Sequence, residues 1–158
     1  MSRLSKAYKV SPDAMRTREF EYHGQSFKVR VPLAKEAEEM FKRADNPPEA
    51  EVEEKFQELS KDLYAKKEEI VESGADIKFT DDDVVVGENS LRELAKNQAA
   101  GNIRIIESFK LLVTATGENL TDITYEEINE EFPLPVQLAL VKKIAEVISP
   151  GYEEIRKN

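Results

Sequence analysis

The sequence predicts a mainly α protein, a compact helical domain that opens with a small β-hairpin. Three observations predict this. Long stretches place apolar residues three and four apart, the period of a helix with one buried face. One early stretch alternates apolar and polar residues, the period of a half-buried strand. Pro, Gly and Ser/Thr-x-x-Glu pairs fall where such elements should begin and end.

The elements follow in order. Residues 1–17 carry Arg3, Lys6, Lys9 and Arg16 against Asp13, with Arg18 just beyond. They show no apolar stretch of signal-peptide type. We read them as a flexible basic arm, solvated rather than bound to nucleic acid. Residues 18–158 are expected to form a single helical domain. Its hairpin covers 18–32: Phe20 and Tyr22 alternate with charged residues, as do Phe27, Val29 and Val31, around a His23-Gly24 turn. Pro32 ends the second strand. Leu33 to Arg43 predicts a short helix with Leu33, Ala37, Met40 and Phe41 on one side. "DNPPEA" interrupts it, because proline cannot continue a helix but suits the start of a new one.

From Glu49 to Ser73 one helix is expected. Val52, Phe56, Leu59, Leu63 and Ile70 form a narrow seam, and Gly74 is a C-cap. Between Asp45 and Glu72 stand ten Asp or Glu against four Lys, a local net charge of −6. This is either a solvated face or an adaptor surface for a basic partner. "IKFTDDDVVVGENS" suggests a short strand and a connector. Asp81, Asp82 and Asp83 lack calcium-loop spacing, since Val85 stands where a ligand should, so they read as a cap or turn. Ser90 and Glu93 fit a capping box. The helix they open should weaken near Gly101. Ile105, Ile106, Phe109, Leu112 and Val113 then resume an apolar face, with Gly117 as a cap. Thr124 and Glu127 form a second capping box before a short helix. Pro135 starts the last helix, whose Val136, Leu138, Leu140, Val141, Ile144, Ala145, Val147 and Ile148 exceed a single stripe. A helix this apolar is normally packed between neighbours. Pro150-Gly151 should stop it.

The bulk properties exclude several functions. Net charge is −9 over 158 residues, which disfavours binding to phosphate backbones. Without cysteine there is no disulfide, thiolate nucleophile or Cys-based zinc site, a composition that fits the cytosol. No stretch approaches the ~20 apolar residues of a membrane span. The single His23 sits on a turn tip. No P-loop, GxSxG or HExxH occurs, and no spacing marks a metal or cofactor site. We therefore expect no enzyme, no cofactor, no metal, no nucleic acid and no membrane.

Two stretches carry a resemblance. "FEYHGQSFKVRVPLAKEAEEMF" runs a hairpin straight into a helix. "YEEINEEFPLPVQLALVKKIAEVISPGYEE" joins a short acidic helix to an aromatic-Pro junction, an apolar helix, a break and Tyr-Glu. Together they cover about a third of the chain, and the arrangement resembles the tail assembly chaperones of long-tailed, non-contractile bacteriophages. At the junction, where that pattern often carries Trp, this chain has Phe132. The resemblance implies a small, mostly helical, non-enzymatic protein in the cytoplasm of the infected bacterium. It would bind the tape measure protein and be absent from the mature virion. A longer frameshifted form would recruit the major tail protein, this chain being the short form.

An unassembled long helical protein exposes apolar seams that invite aggregation, and an acidic binder could cover them by helix-in-groove docking. The candidate protein-binding residues are Phe56, Leu59 and Leu63 on the seam, and Phe132, Leu134 and Leu138 at the junction. Core packing is the competing reading for both sets. The alternative function is an acidic regulatory adaptor for a basic host or phage protein. Such binding should weaken steeply with salt.

Overall fold

The structure, a computed structural model, describes residues 3–9, 11–116, 118 and 120–149. It is mainly helical, with two small antiparallel sheets. The expected cap at Gly117 and stop at Pro150-Gly151 lie outside the described residues. Contacts divide the chain into two units, residues 1–40 with 104–158, and residues 41–103. The stretch expected as one domain, 18–158, thus holds parts of both units. The physical reason is that the buried apolar residues gather into two clusters, one in each unit.

In the first unit, residues expected as a flexible arm form two short helices, α1 (Arg3–Tyr8) and α2 (Pro12–Arg16). Proline opens α2, where its missing N–H costs nothing. Strands β1 (Thr17–Tyr22) and β2 (Gln25–Arg30) follow, pairing Thr17 with Arg30 through to Tyr22 with Gln25. His23 and Gly24 both have positive φ, at 51° and 75°, the conformation a two-residue hairpin turn requires. The expected hairpin is matched only loosely, because it does not stand alone. Helix α3 (Ala34–Asp45) comes next, with Met40 against the core of this unit but Phe41 69% exposed.

The second unit holds α4 (Glu49–Ala65) and α5 (Lys67–Ser73), where one helix was expected. The seam explains the break. Residues 52, 56, 59 and 63 call for an apolar residue at 66, but Lys66 stands there and is exposed. With nothing to bury, the helix ends and restarts. Gly74, with φ of 73°, caps α5 as its left-handed backbone allows. Strands β3 (Ile77–Phe79), β4 (Val84–Val86) and β5 (Asn89–Ser90) form a meander in the order β3-β4-β5. Phe56, Val84, Leu91 and Ala95 make the buried cluster, flanked by Val52, Leu59, Leu63, Ile77 and Phe79. Ser60 is fully buried and donates its hydroxyl to the Phe56 carbonyl at 2.7 Å, which satisfies it within its own helix.

Helix α6 (Leu91–Lys110) begins in the second unit and runs unbroken through Gly101. One interior glycine costs only about 1 kcal/mol relative to alanine. The expected helical face through Leu112 and Val113 is overturned. Those two residues form strand β6 (Leu112–Val113), paired with Val29 and Lys28. The hairpin leaves one edge of β2 with unpaired backbone groups, and β6 satisfies them. The sheet order is therefore β1-β2-β6.

Helices α7 (Tyr125–Glu131) and α8 (Leu134–Ile148) complete the first unit. The Thr124–Glu127 capping box opens α7 with both reciprocal bonds formed. Helix α8 packs on β1 and β2. Its buried stripe is Gln137, Leu140 and Ile144. Leu140 and Ile144 meet Phe20, Val29, Ile105, Phe109, Leu111 and Ile128 in the main core. Phe20 and Phe27, opposite each other across the hairpin, stack at 5.3 Å. Arg18 donates to the Val147 carbonyl at 2.6 Å, a cation placed on the C-terminal turn of α8 where the helix dipole favours it.

Candidate protein-binding surfaces

The two candidate surfaces part company. On α4, Phe56 is 3% exposed, and Leu59 and Leu63 are half-buried against the same cluster. The small sheet and the start of α6 supply the residues that cover this seam. Phe56 therefore belongs to the core of this unit, with Leu59 and Leu63 partly buried against it. At the junction, Phe132 is half-buried, its ring 5.6 Å from that of Phe109. Leu134 and Leu138, one helical turn apart on α8, are 49% and 53% exposed. Only these two of the six candidates offer substantial free apolar surface.

Two adjoining depressions open beside the junction, both within the first unit. One, of about 690 Å³, is lined mainly by apolar residues, among them Phe27, Phe109, Leu112, Leu120, Ile123 and Phe132, with Lys28 and Glu131 also in the lining. The other, of about 640 Å³, shares Phe109, Leu120, Ile123 and Phe132 with it. Its rim carries Glu118, Asp122, Glu127, Glu130 and Glu131. The two depressions also share Glu131; the four shared apolar residues form the floor, and all five carboxylate residues are exposed.

Gln137 fixes the turn into α8. It is fully buried, and its Nε2 donates to the Phe132 carbonyl at 2.6 Å and to Asn129 Oδ1 at 3.2 Å. Its Oε1 is buried with no hydrogen-bond partner among the described residues. Sequence reasoning passed over Gln137, although a polar residue on the buried stripe of so apolar a helix was a readable signal.

Two ionic clusters tie loops to helices. In the first unit Glu36 accepts from Arg30 Nη1 at 2.8 Å and from Arg16 Nη2 at 3.0 Å, while Arg16 Nε donates to the Val31 carbonyl. The Arg30 hydrogen bond, with the charges of both arginines, holds the Glu36 carboxyl below its usual range against a smaller opposing effect of burial. In the second unit, Asp83 accepts from the Val84 N–H at 2.7 Å, the Arg92 N–H at 3.0 Å and the Ser90 hydroxyl. Ser90 Oγ in turn accepts from the Glu93 N–H. Asp83 thus acts at the start of α6, as the cap reading of the Asp run expected. Burial alone would raise its pKa, but the Ser90, Arg92 and Val84 donors and the Arg92 charge together lower it.

Arg92 is committed on several sides. It pairs with Glu53 at 2.6 Å, donates Nε to the Asp82 carbonyl at 2.7 Å, and lies 4.1 Å from the centroid of the Phe56 ring. The Glu53 bond raises its pKa further, and Glu53 is lowered in turn. A groove of about 850 Å³ lies beside this cluster, among Asn46, Glu49, Glu53, Arg92 and Lys96. The Arg92–Glu53 pair joins α4 to α6 at this groove.

His23 packs its ring edge-on against Tyr22 at the hairpin tip, 4.4 Å between centroids. Among the described residues no group of three His, Asp or Glu is placed to hold a metal ion, and no helix is long and apolar enough to cross a membrane. Comparison with protein-family models, curated proteins and solved structures found no match.

Proposed function

We propose that this chain is a non-enzymatic tail assembly chaperone of a long-tailed phage, one that binds the tape measure protein and keeps it soluble during assembly. The observation that carries the reading is the exposed pair Leu134 and Leu138, on a helix whose opposite stripe is core and whose entry is held by Phe132 and Gln137. A helix showing two leucines one turn apart suits the capture of apolar segments of a helical client. On this reading the chain works in the cytoplasm of the infected bacterium and stays out of the finished virion, and a longer form would engage the major tail protein.

The test is co-expression with the tape measure protein of the same phage. Wild-type chain should keep the client in the soluble fraction and co-purify with it at high salt. A Leu134→Ser/Leu138→Ser variant that is as well folded should lose both effects. Unchanged client solubility with and without the wild-type chain sinks the reading. Capture of only basic proteins, lost at high salt, would favour the acidic adaptor instead.

A further inference from the structure

We infer that the twin depression beside Phe132 is a docking groove for an apolar peptide segment flanked by Lys or Arg. The inference rests on the chaperone reading only for which protein supplies that segment. Two observations meet here. The floor is apolar, with Phe109, Leu120, Ile123 and Phe132 shared by both depressions. The rim is mainly anionic: among the described residues its one cation, Lys28 at the edge of the first depression, pairs with Glu19 at 3.7 Å, and from Leu111 to Val141 the chain has six Asp or Glu and no Lys or Arg. That second fact sets this surface apart from α4, whose acidic residues are interspersed with Lys55 and Lys61.

An apolar floor gives affinity to whatever covers it, and the charge around it selects what approaches. An apolar segment flanked by acidic residues would bring like charges together at the rim. One flanked by cations would place them opposite Glu118, Asp122, Glu130 and Glu131. Glu127 contributes less, because its carboxylate accepts the Thr124 N–H in the α7 capping box. Binding is therefore expected to have a salt-resistant apolar part and a salt-sensitive charged part, the latter shaping association and selectivity.

The probe is a labelled amphipathic helical peptide with a leucine face and lysine flanks, read by fluorescence anisotropy against the full chain. Two control peptides carry glutamate flanks, or serine in place of leucine. The lysine–leucine peptide should bind, and each control should bind about tenfold more weakly or not at all. Neutralising the rim with Glu118→Gln, Asp122→Asn, Glu130→Gln and Glu131→Gln should weaken the lysine–leucine peptide about tenfold and flatten its salt dependence. These side chains are exposed, so the fold should survive, as circular dichroism would confirm. Removing the same charge from the second unit, through Glu51→Gln, Glu54→Gln, Glu68→Gln and Glu69→Gln, should leave binding unchanged. Equal losses from both quadruple variants would reduce the effect to bulk charge and overturn the groove. So would equal binding of lysine- and glutamate-flanked peptides, or no binding of the lysine–leucine peptide. Peptide binding that follows this pattern without any solubilisation of the tape measure protein would leave the groove standing and remove the chaperone reading.

Discussion

Replacing Asp83 with alanine tests the ionic organisation of the second unit. Its carboxylate accepts two backbone N–H groups, at 2.7 and 3.0 Å, and the Ser90 hydroxyl. A hydrogen bond to a charged group contributes about 1.5–3 kcal/mol and a helix cap about 1 kcal/mol. These values do not add, because the three donors share one half-exposed carboxylate and water reaches the site once it is removed. The expected loss for Asp83→Ala is about 2 kcal/mol, or a fall in Tm of roughly 4–8 °C for a chain of this length. Asp83→Asn keeps one acceptor oxygen and loses the charge, so it should cost about half as much. Urea unfolding followed by far-UV circular dichroism measures both.

The pH dependence of that loss supplies a second check. The folded-state pKa of Asp83 is lowered, whereas an unfolded Asp titrates at about 3.9. Its contribution is therefore fully present above the unfolded value and lost as pH falls through the folded one. The gap between wild type and Asp83→Ala should be constant from about pH 7 to about pH 5 and close below about pH 4. An Asp83→Ala protein within about 0.5 kcal/mol of wild type at neutral pH would refute the reasoning, as would a gap that widens in acid.

Three further outcomes are expected. Half of each of Leu134 and Leu138 remains for a partner to cover, so together they are worth about 2 kcal/mol of binding, and the double serine variant should weaken client affinity roughly 30-fold by titration calorimetry. Phe56→Ala should destabilise the second unit by about 3–5 kcal/mol, because it empties a core site and removes the ring under Arg92; a thermal melt like that of wild type would return the seam to the surface. Glu36→Gln should cost at most about 1 kcal/mol, since the pair with Arg16 and Arg30 is half-exposed, and by denaturant titration that cost should disappear as pH falls below about 4.3 through the lowered pKa of Glu36.

Local signals in this chain were legible wherever a few neighbouring residues decide the outcome. The alternation around Phe20 and Val29, the His23-Gly24 turn, the Thr124–Glu127 box, the Gly74 cap and Pro135 near the start of α8 all correspond to observed features. Their energetics act within a turn or two of backbone, so the sequence window contains the whole cause. The break at Lys66 was legible too, as the seven-residue gap in the seam, but the strength of the surrounding periodicity hid it.

What required the tertiary structure was the partner of each apolar face. A seam such as Phe56, Leu59 and Leu63 reads the same whether a neighbour in the chain or another protein covers it. The meander of residues 77–90, brought against it, put Phe56 in the core, with Leu59 and Leu63 partly buried. Leu112 and Val113 continued a helical pattern, yet the open edge of β2 drew them into a strand, since unpaired backbone groups outweigh a weak local preference. The groove beside Phe132 draws residues from the hairpin, α6 and the segment around α7, separated by about a hundred positions. Burial is a property of contacts between distant residues, so helical character, capping and charge could be read along the chain. Which apolar side chains stay uncovered could not.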